Sequence, residues 1–330
     1  MQSDDMLYNI HPVVRRDYSA CSRQIADAAT LIYNWVEMAI PGAIIYGKPR
    51  MGKSRLIRFI VENFATDYGE NIPIYSIEWT THPAKENTFF EILLYKFNHD
   101  IPFEGRPIEK RDRLRNLILT IVSESKQNKI ILFIDEAHLL SNIEYKWLLD
   151  TYNDLERQGV ILITFLIAED KILNTFNKLR QKREMQIIGR FMTEAYRFTG
   201  FMQVSDFKYI LNEFDYNLVF PENSELSYTK FFFKEQYEQG FRLSNYLNEL
   251  IEALKYVQQK YNIVEYKEVP GMYTIRCIEE ILKTHGRFGL NTSVLTTQHW
   301  INALETCGYI SGSNSVDNEK LMDNSYRKEL

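Results

Sequence analysis

Cysteine is scarce in this chain. Three stand among 330 residues (Cys21, Cys277, Cys307), far apart and with no CxxC pair. That pattern excludes a disulfide framework or a zinc ribbon and points to reduced thiols in a cytosolic compartment. Long apolar runs are missing too, none approaching the ~20 residues a membrane-spanning helix requires, so no membrane partner is expected. Nor is there an excess of positive charge: 39 Lys and Arg face 44 Asp and Glu, a net charge of −5. Any contact with nucleic acid must therefore come from a local patch. The opening residues, MQSDDMLYNIHP, are polar and acidic, unlike a secretory leader. What is present, 45% apolar and 25% charged residues, is the composition of an ordinary globular protein long enough for two domains.

One stretch organises the rest, Gly42 to Phe64, reading GAIIYGKPRMGKSRLIRFIVENF. An apolar strand (Ala43 to Tyr46) runs into Gly47-Lys48-Pro49-Arg50-Met51-Gly52-Lys53-Ser54-Arg55, and a helix with Leu56, Ile57, Ile60 and Phe64 at helical spacing follows. This is GxxxxGK[ST] in its required strand–loop–helix context. The backbone N–H groups of such a loop, with the positive end of the helix, cradle phosphates. Lys53 reaches the β- and γ-phosphates of a nucleotide, and the Ser54 hydroxyl holds Mg²⁺.

Apolar segments at 72–79 (IPIYSIEW), 129–137 (KIILFIDEA) and 160–168 (VILITFLIA) alternate with helical patterns, and 186–201 contains a last strand. The result is a doubly wound α/β domain with a five-stranded parallel sheet. From about residue 202 the pattern is helix only. The expected organisation is an N-terminal arm (1–18), irregular because His11-Pro12 forces an extended turn, then the α/β domain (19–201). A helical lid (202–260), a C-terminal helical extension (261–310) and a polar tail (311–330) follow. Within the lid, Phe207, Ile210, Leu211 and Phe214 mark one helix, Phe231–Phe233 sit in a second, and the clearest helix is expected over 241–257.

The strand at 129–137 ends in two acids. Asp135 at that end belongs beside the phosphate loop, holding a magnesium-bound water, and Glu136 orients or deprotonates an attacking water. His138 reads as a packing or supporting residue, since no second ligand lies at metal-binding spacing. Arg190, before the last strand, is placed to project toward a neighbour's γ-phosphate. Arg242, at the start of the lid helix, is placed to contact the nucleotide from the second domain. A polar sensor of the γ-phosphate is expected at the end of the fourth strand, with Thr164 and Glu169 as candidates and Glu169 preferred. Two basic clusters, Arg106-Lys110-Arg111-Arg113-Arg115 and Lys178-Arg180-Lys182-Arg183, fit either a DNA backbone or a solvated helix face.

With these residues assembled, the chain resembles the AAA+ ATPases, and within them the TnsC/TniB family of transposon-encoded regulators, over roughly residues 20–258. The resemblance rests on GKPRMGKS, KIILFIDEAHLL, IIGRF and GFRLSNYLNEL. It departs after the fourth strand, where Ala168-Glu169-Asp170-Lys171 stands in place of the family's Gly-Gln/Thr-Pro-Glu. The resemblance implies a Mg²⁺-dependent ATPase that assembles as a ring or filament on duplex DNA and links a TniQ-like target selector to the transposase. It implies Arg190 as the arginine finger and Arg242 as the sensor-2 residue. Two other readings stay open: an ExeA-like nucleotide-switched scaffold and a replication-initiator or helicase-loader ATPase.

Overall fold

The computed structural model of the chain describes residues 2–263 and 268–313. They form two units, residues 25–198 and residues 1–24 with 199–330.

The first unit is built on five strands: β1 (Gly42–Tyr46), β2 (Ile74–Glu78), β3 (Lys129–Asp135), β4 (Ile161–Ala168) and β5 (Glu194–Arg197). They are all parallel, in the order β2-β3-β4-β1-β5, which is the five-stranded parallel sheet the sequence predicts. The central strands are continuous apolar runs because both faces are covered. Alternation then sorts each run in two. Ile44, Leu132, Ile134, Leu162 and Leu166 share one core with the helices Glu86–Lys96, Pro107–Ser125 and Asn142–Arg157. Their neighbours Phe133 and Phe165 pack on the opposite face, where Trp35 from the helix Arg23–Glu37 stacks on Phe165. The outermost strand, β5, reads EAYR and is largely exposed, the charged edge that discourages further strand pairing.

The second unit is helical. Its core joins Phe207, Ile210 and Phe214 to Tyr228, Phe231, Phe232 and Phe233, and these to Leu250, Leu254, Cys277, Ile281, Trp300 and Tyr309. The C-terminal helices Gly271–His285 and Thr297–Thr306 thus share one core with the lid helix. That helix begins only at Leu247. Residues Leu243–Tyr246 form a 3-10 turn, so the helix expected from residue 241 is shorter than its apolar period.

Residues 2–15 of the expected arm are not irregular. They form the helices Gln2–Ile10 and Pro12–Arg15. His11 is extended, as the residue before a proline must be. Pro12 nevertheless starts a helix, with its missing N–H at the first helical position and the His11 ring accepting from the Val13 amide. Val13 and His11 are fully buried in the helical core. The tail expected at 311–330 lies outside the described residues from position 314 onward. Among the described residues, no helix is long and apolar enough to cross a membrane.

Candidate nucleotide-binding site

The loop after β1 folds tightly because its glycines leave room. A Cβ on Gly47 would stand 2.2 Å from the carbonyl oxygen of Phe198, so only glycine fits there. Arg50 (φ 67°) and Gly52 (φ +122°) take positive φ values, the alternation that turns successive N–H groups toward one concavity. Met51 is buried beneath the turn, and Lys48 and Pro49 complete it. The helix Lys53–Tyr68 then leaves the loop, sinking Leu56, Ile57, Ile60 and Phe64, while Arg55 faces solvent.

Lys53 is buried, and its Nζ donates to the carbonyls of Gly47 (2.6 Å) and Lys48 (2.9 Å). Burial lowers its pKa, opposed by the fields of Glu169, Glu136, Asp135 and Asp170. A buried cation in the field of four carboxylates is arranged for a polyanion that arrives with its own counter-ion. Ser54 Oγ donates to Asp135 Oδ2 at 2.7 Å. That separation is close to the ~2.9 Å edge of an octahedron with Mg–O bonds of about 2.05 Å, so these two oxygens fit adjacent positions around Mg²⁺. The other Asp135 oxygen accepts the Glu136 N–H at 2.9 Å, and the Asp135 carbonyl accepts from Trp79 N at the end of β2. Both neighbours therefore fix the acid where β3 stops.

Glu136 is left-handed (φ 56°, ψ 32°) and turns the chain into a 3-10 turn, Ala137–Leu139. Its carboxyl is raised above the usual range, first by burial and then by Asp135, while His138 and Lys53 pull the other way. His138 Nδ1 lies 3.4 Å from Glu136 Oε2, with the imidazole almost buried. A carboxylate held next to the Ser54–Asp135 pair, with a raised pKa, is equipped to take a proton from water.

The two sensor candidates separate cleanly. Thr164 is completely buried in mid-strand, opposite Gly42 and Leu132. Glu169 follows the end of β4, contributes to the field on Lys53 and Glu136, and pairs with Lys171 Nζ at 3.1 Å. Arg190 sits in the last turn of the helix Met185–Phe191. Its guanidinium lies over the Tyr152 ring (4.8 Å) and 3.3 Å from Glu156, partly exposed. Arg242 belongs to the helical unit. Its guanidinium carbon stands 3.3 Å from the centroid of Tyr237, and its Nη1 donates to the carbonyls of Tyr237 and Phe241.

The basic clusters also part company. All five cations of the first cluster are spent within the unit. Arg106 pairs with Glu109, buried Lys110 with Glu91, and Arg111 with Asp150 and Asp154. Arg113 donates to the carbonyls of Ile101 and Glu104. The fifth, Arg115, pairs with Asp112. In the second cluster Lys178, Arg180, Lys182 and Arg183 are all exposed, and none forms an ion pair among the described residues.

Phe198 also shapes the loop, although no motif marks it. Fully buried just past β5, it donates its N–H to Tyr46, sets its carbonyl against Gly47 and lays its ring near Gly52. The only available signal was an apolar residue between the polar β5 and Gly200.

Residues 42–176 match the model of a family described as an AAA domain. Among solved structures, the chain is similar to the Aeropyrum pernix ORC1 protein in complex with DNA. That match has TM-score 0.51 and 11% identity, over 90% of this chain and 67% of that one. It is also similar to domain III of the Thermotoga maritima replication initiation protein DnaA, with TM-score 0.46 and 15% identity, over 89% and 96% of the two chains. At such identities the first likeness speaks for the fold alone. No curated protein matches the sequence.

Proposed function

We propose that this chain, an AAA-type P-loop ATPase, assembles on duplex DNA as an ATP-dependent oligomer and serves as a TnsC/TniB-like regulator of transposition. In that role it would link a TniQ-like target selector to transposase subunits. The observation that carries the catalytic part is the Ser54–Asp135 contact of 2.7 Å with Glu136 beside it. Lys53 exchanges its two loop carbonyls for the β- and γ-phosphates, and the loop amides orient them. Ser54 and Asp135 would hold Mg²⁺, which would supply charge neutralisation at those phosphates. Glu136 orients the attacking water and accepts its proton, Glu169 monitors the γ-phosphate, and Arg242 is the cation assigned to the nucleotide from the helical unit.

Two features support assembly on DNA. Among the described residues, Arg190 is tethered by a partly exposed glutamate and a ring face, contacts that a neighbour's γ-phosphate can replace. The exposed cluster at 178–183, without an ion pair among the described residues, is the stretch suited to DNA phosphates. The DNA-bound state of the ORC1 protein keeps a second reading alive, a replication initiator or helicase loader. Against a separate sequence-reading module stands the packing of the helices Gly271–His285 and Thr297–Thr306 into the lid core.

Electron microscopy of the protein with ATP and duplex DNA, beside samples lacking each, tests the proposal. Rings or filaments only with both are expected. Oligomers that form equally well without DNA would move the chain to the ExeA-like scaffold class.

A further inference from the structure

Arg242 stands directly before the 3-10 turn Leu243–Tyr246, and the helical unit surrounds it with a dedicated support. Directly after the helix Val204–Asn212 comes a π-helical turn, Glu213–Asn217, closed by a bond from Leu218 N to the Glu213 carbonyl. Such turns are rare and gather at functional sites. This one carries Asp215, which is fully buried. Asp215 Oδ1 accepts from Leu243 N (2.9 Å) and Oδ2 from Ser244 N (3.0 Å), the first two amides after Arg242. The Asp215 carbonyl accepts from the Tyr237 hydroxyl at 2.9 Å, and Tyr237 is the ring on which the Arg242 guanidinium rests. The next residue, Tyr216, offers a second ring at 5.7 Å.

The carboxylate of Asp215 thus sets the backbone that follows Arg242, and its carbonyl sets the ring beneath the guanidinium. A buried carboxylate is expensive unless its oxygens are satisfied, and these are satisfied by the turn that Arg242 enters. Meanwhile Arg242 Nε is buried with no acceptor among the described residues, so the cation is held firmly and left short of an anion.

We infer that Asp215, acting with Tyr237, is a positioning residue that holds Arg242 ready for a phosphate of the nucleotide. This rests on the assignment of Arg242 to the nucleotide made above.

The test is a double-mutant cycle in the full chain, reading kcat and KM for ATP. Arg242→Ala is expected to lower kcat/KM by at least about tenfold, as loss of a charge-assisted phosphate contact does. Asp215→Asn keeps the shape of the side chain but sets an amide N–H₂ against an amide N–H. It is expected to lower kcat/KM by about three- to tenfold in the wild-type background and by less than about twofold in the Arg242→Ala background. Tyr237→Phe, which keeps the ring and drops the hydroxyl, should move the same parameter in the same direction without lowering the melting temperature. If Arg242→Ala is impaired and Asp215→Asn reduces it further by its full single-mutant factor, Asp215 is merely structural and the positioning role is overturned. If Arg242→Ala turns over ATP normally, the assignment of Arg242 itself falls, and this inference with it.

Discussion

The imidazole of His11 makes the helical unit acid-labile by a calculable amount. Its ring is fully buried among Phe220, Tyr228, Phe231 and Phe232, with centroids 4.3–4.9 Å away. Nδ1 accepts from Val13 N, so the proton of the neutral ring sits on Nε2, which has no acceptor among the described residues. Burial lowers the pKa from 6.5 to about 3. A folded pKa below the unfolded one means that the unfolded chain binds the extra proton, so stability falls as pH drops below 6.5. Linkage between 6.5 unfolded and about 3 folded gives a loss of about 2 kcal/mol on going from about pH 7.5 to about pH 5. Ring faces attract cations by roughly 0.5–2 kcal/mol, a competing effect that would shrink the loss if it prevailed. His11→Asn keeps an N-cap acceptor for Val13 and removes the titration. Urea unfolding followed by circular dichroism at both pH values, extrapolated linearly, should show wild type losing about 2 kcal/mol more than the variant. Lower starting stability of the variant does not matter, since only the pH difference is compared. Equal pH dependence in the two proteins would refute the buried neutral imidazole.

Glu136→Gln should bind ATP with unchanged affinity and lose about 10²- to 10⁴-fold in turnover; a variant that still hydrolyses at the wild-type rate would remove Glu136 from the chemistry. Arg190→Ala should cut turnover of the assembled protein by about 10³-fold or more while equilibrium binding of a fluorescent ATP analogue stays the same, and normal turnover would rule out a trans role. Gly47→Ala puts a methyl 2.2 Å from the Phe198 carbonyl, so nucleotide affinity measured by calorimetry should collapse, whereas Gly69→Ala, with open space around it, should leave affinity intact. Replacing Lys178, Arg180, Lys182 and Arg183 together by Gln should weaken DNA binding and flatten its salt dependence by up to about four units of slope; an unchanged salt slope would move the DNA contact elsewhere.

The phosphate loop and the acids of β3 were legible because their chemistry is local. A loop needs Gly47 and Gly52 within a few residues of Lys53, and a buried strand that stops at Asp135-Glu136 shows its burial as an apolar run. The central strands were legible for the same reason, since both of their faces are covered. At the edge that signal fails. β5 is four residues long, EAYR, and largely exposed, so its composition places it no more closely than somewhere within 186–201. The first basic cluster was ambiguous because charge alone does not reveal a partner. Lys110 reads as a surface lysine until Glu91, on another helix, is placed 2.5 Å from its Nζ.

The helical unit was the less legible half, and the reason is sequence separation. Helical period predicts where Phe207, Ile210 and Leu211 point, but not what they meet. Tyr18 donates to Glu279 at 2.8 Å across 261 positions, and His11 finds its four rings more than two hundred residues away. No local pattern encodes such a pairing, so the first eighteen residues looked like an arm without a core to join. The same holds for Arg242, whose neighbours in sequence suggest an ordinary start to a helix. Its surroundings are set instead by Asp215, which satisfies the two amides beyond it, and that contact becomes visible only when the π-helical turn and the 3-10 turn are brought together. A residue whose orientation depends on two irregular turns lies beyond what periodicity can read, which is why its support emerges from the fold and its charge from the sequence.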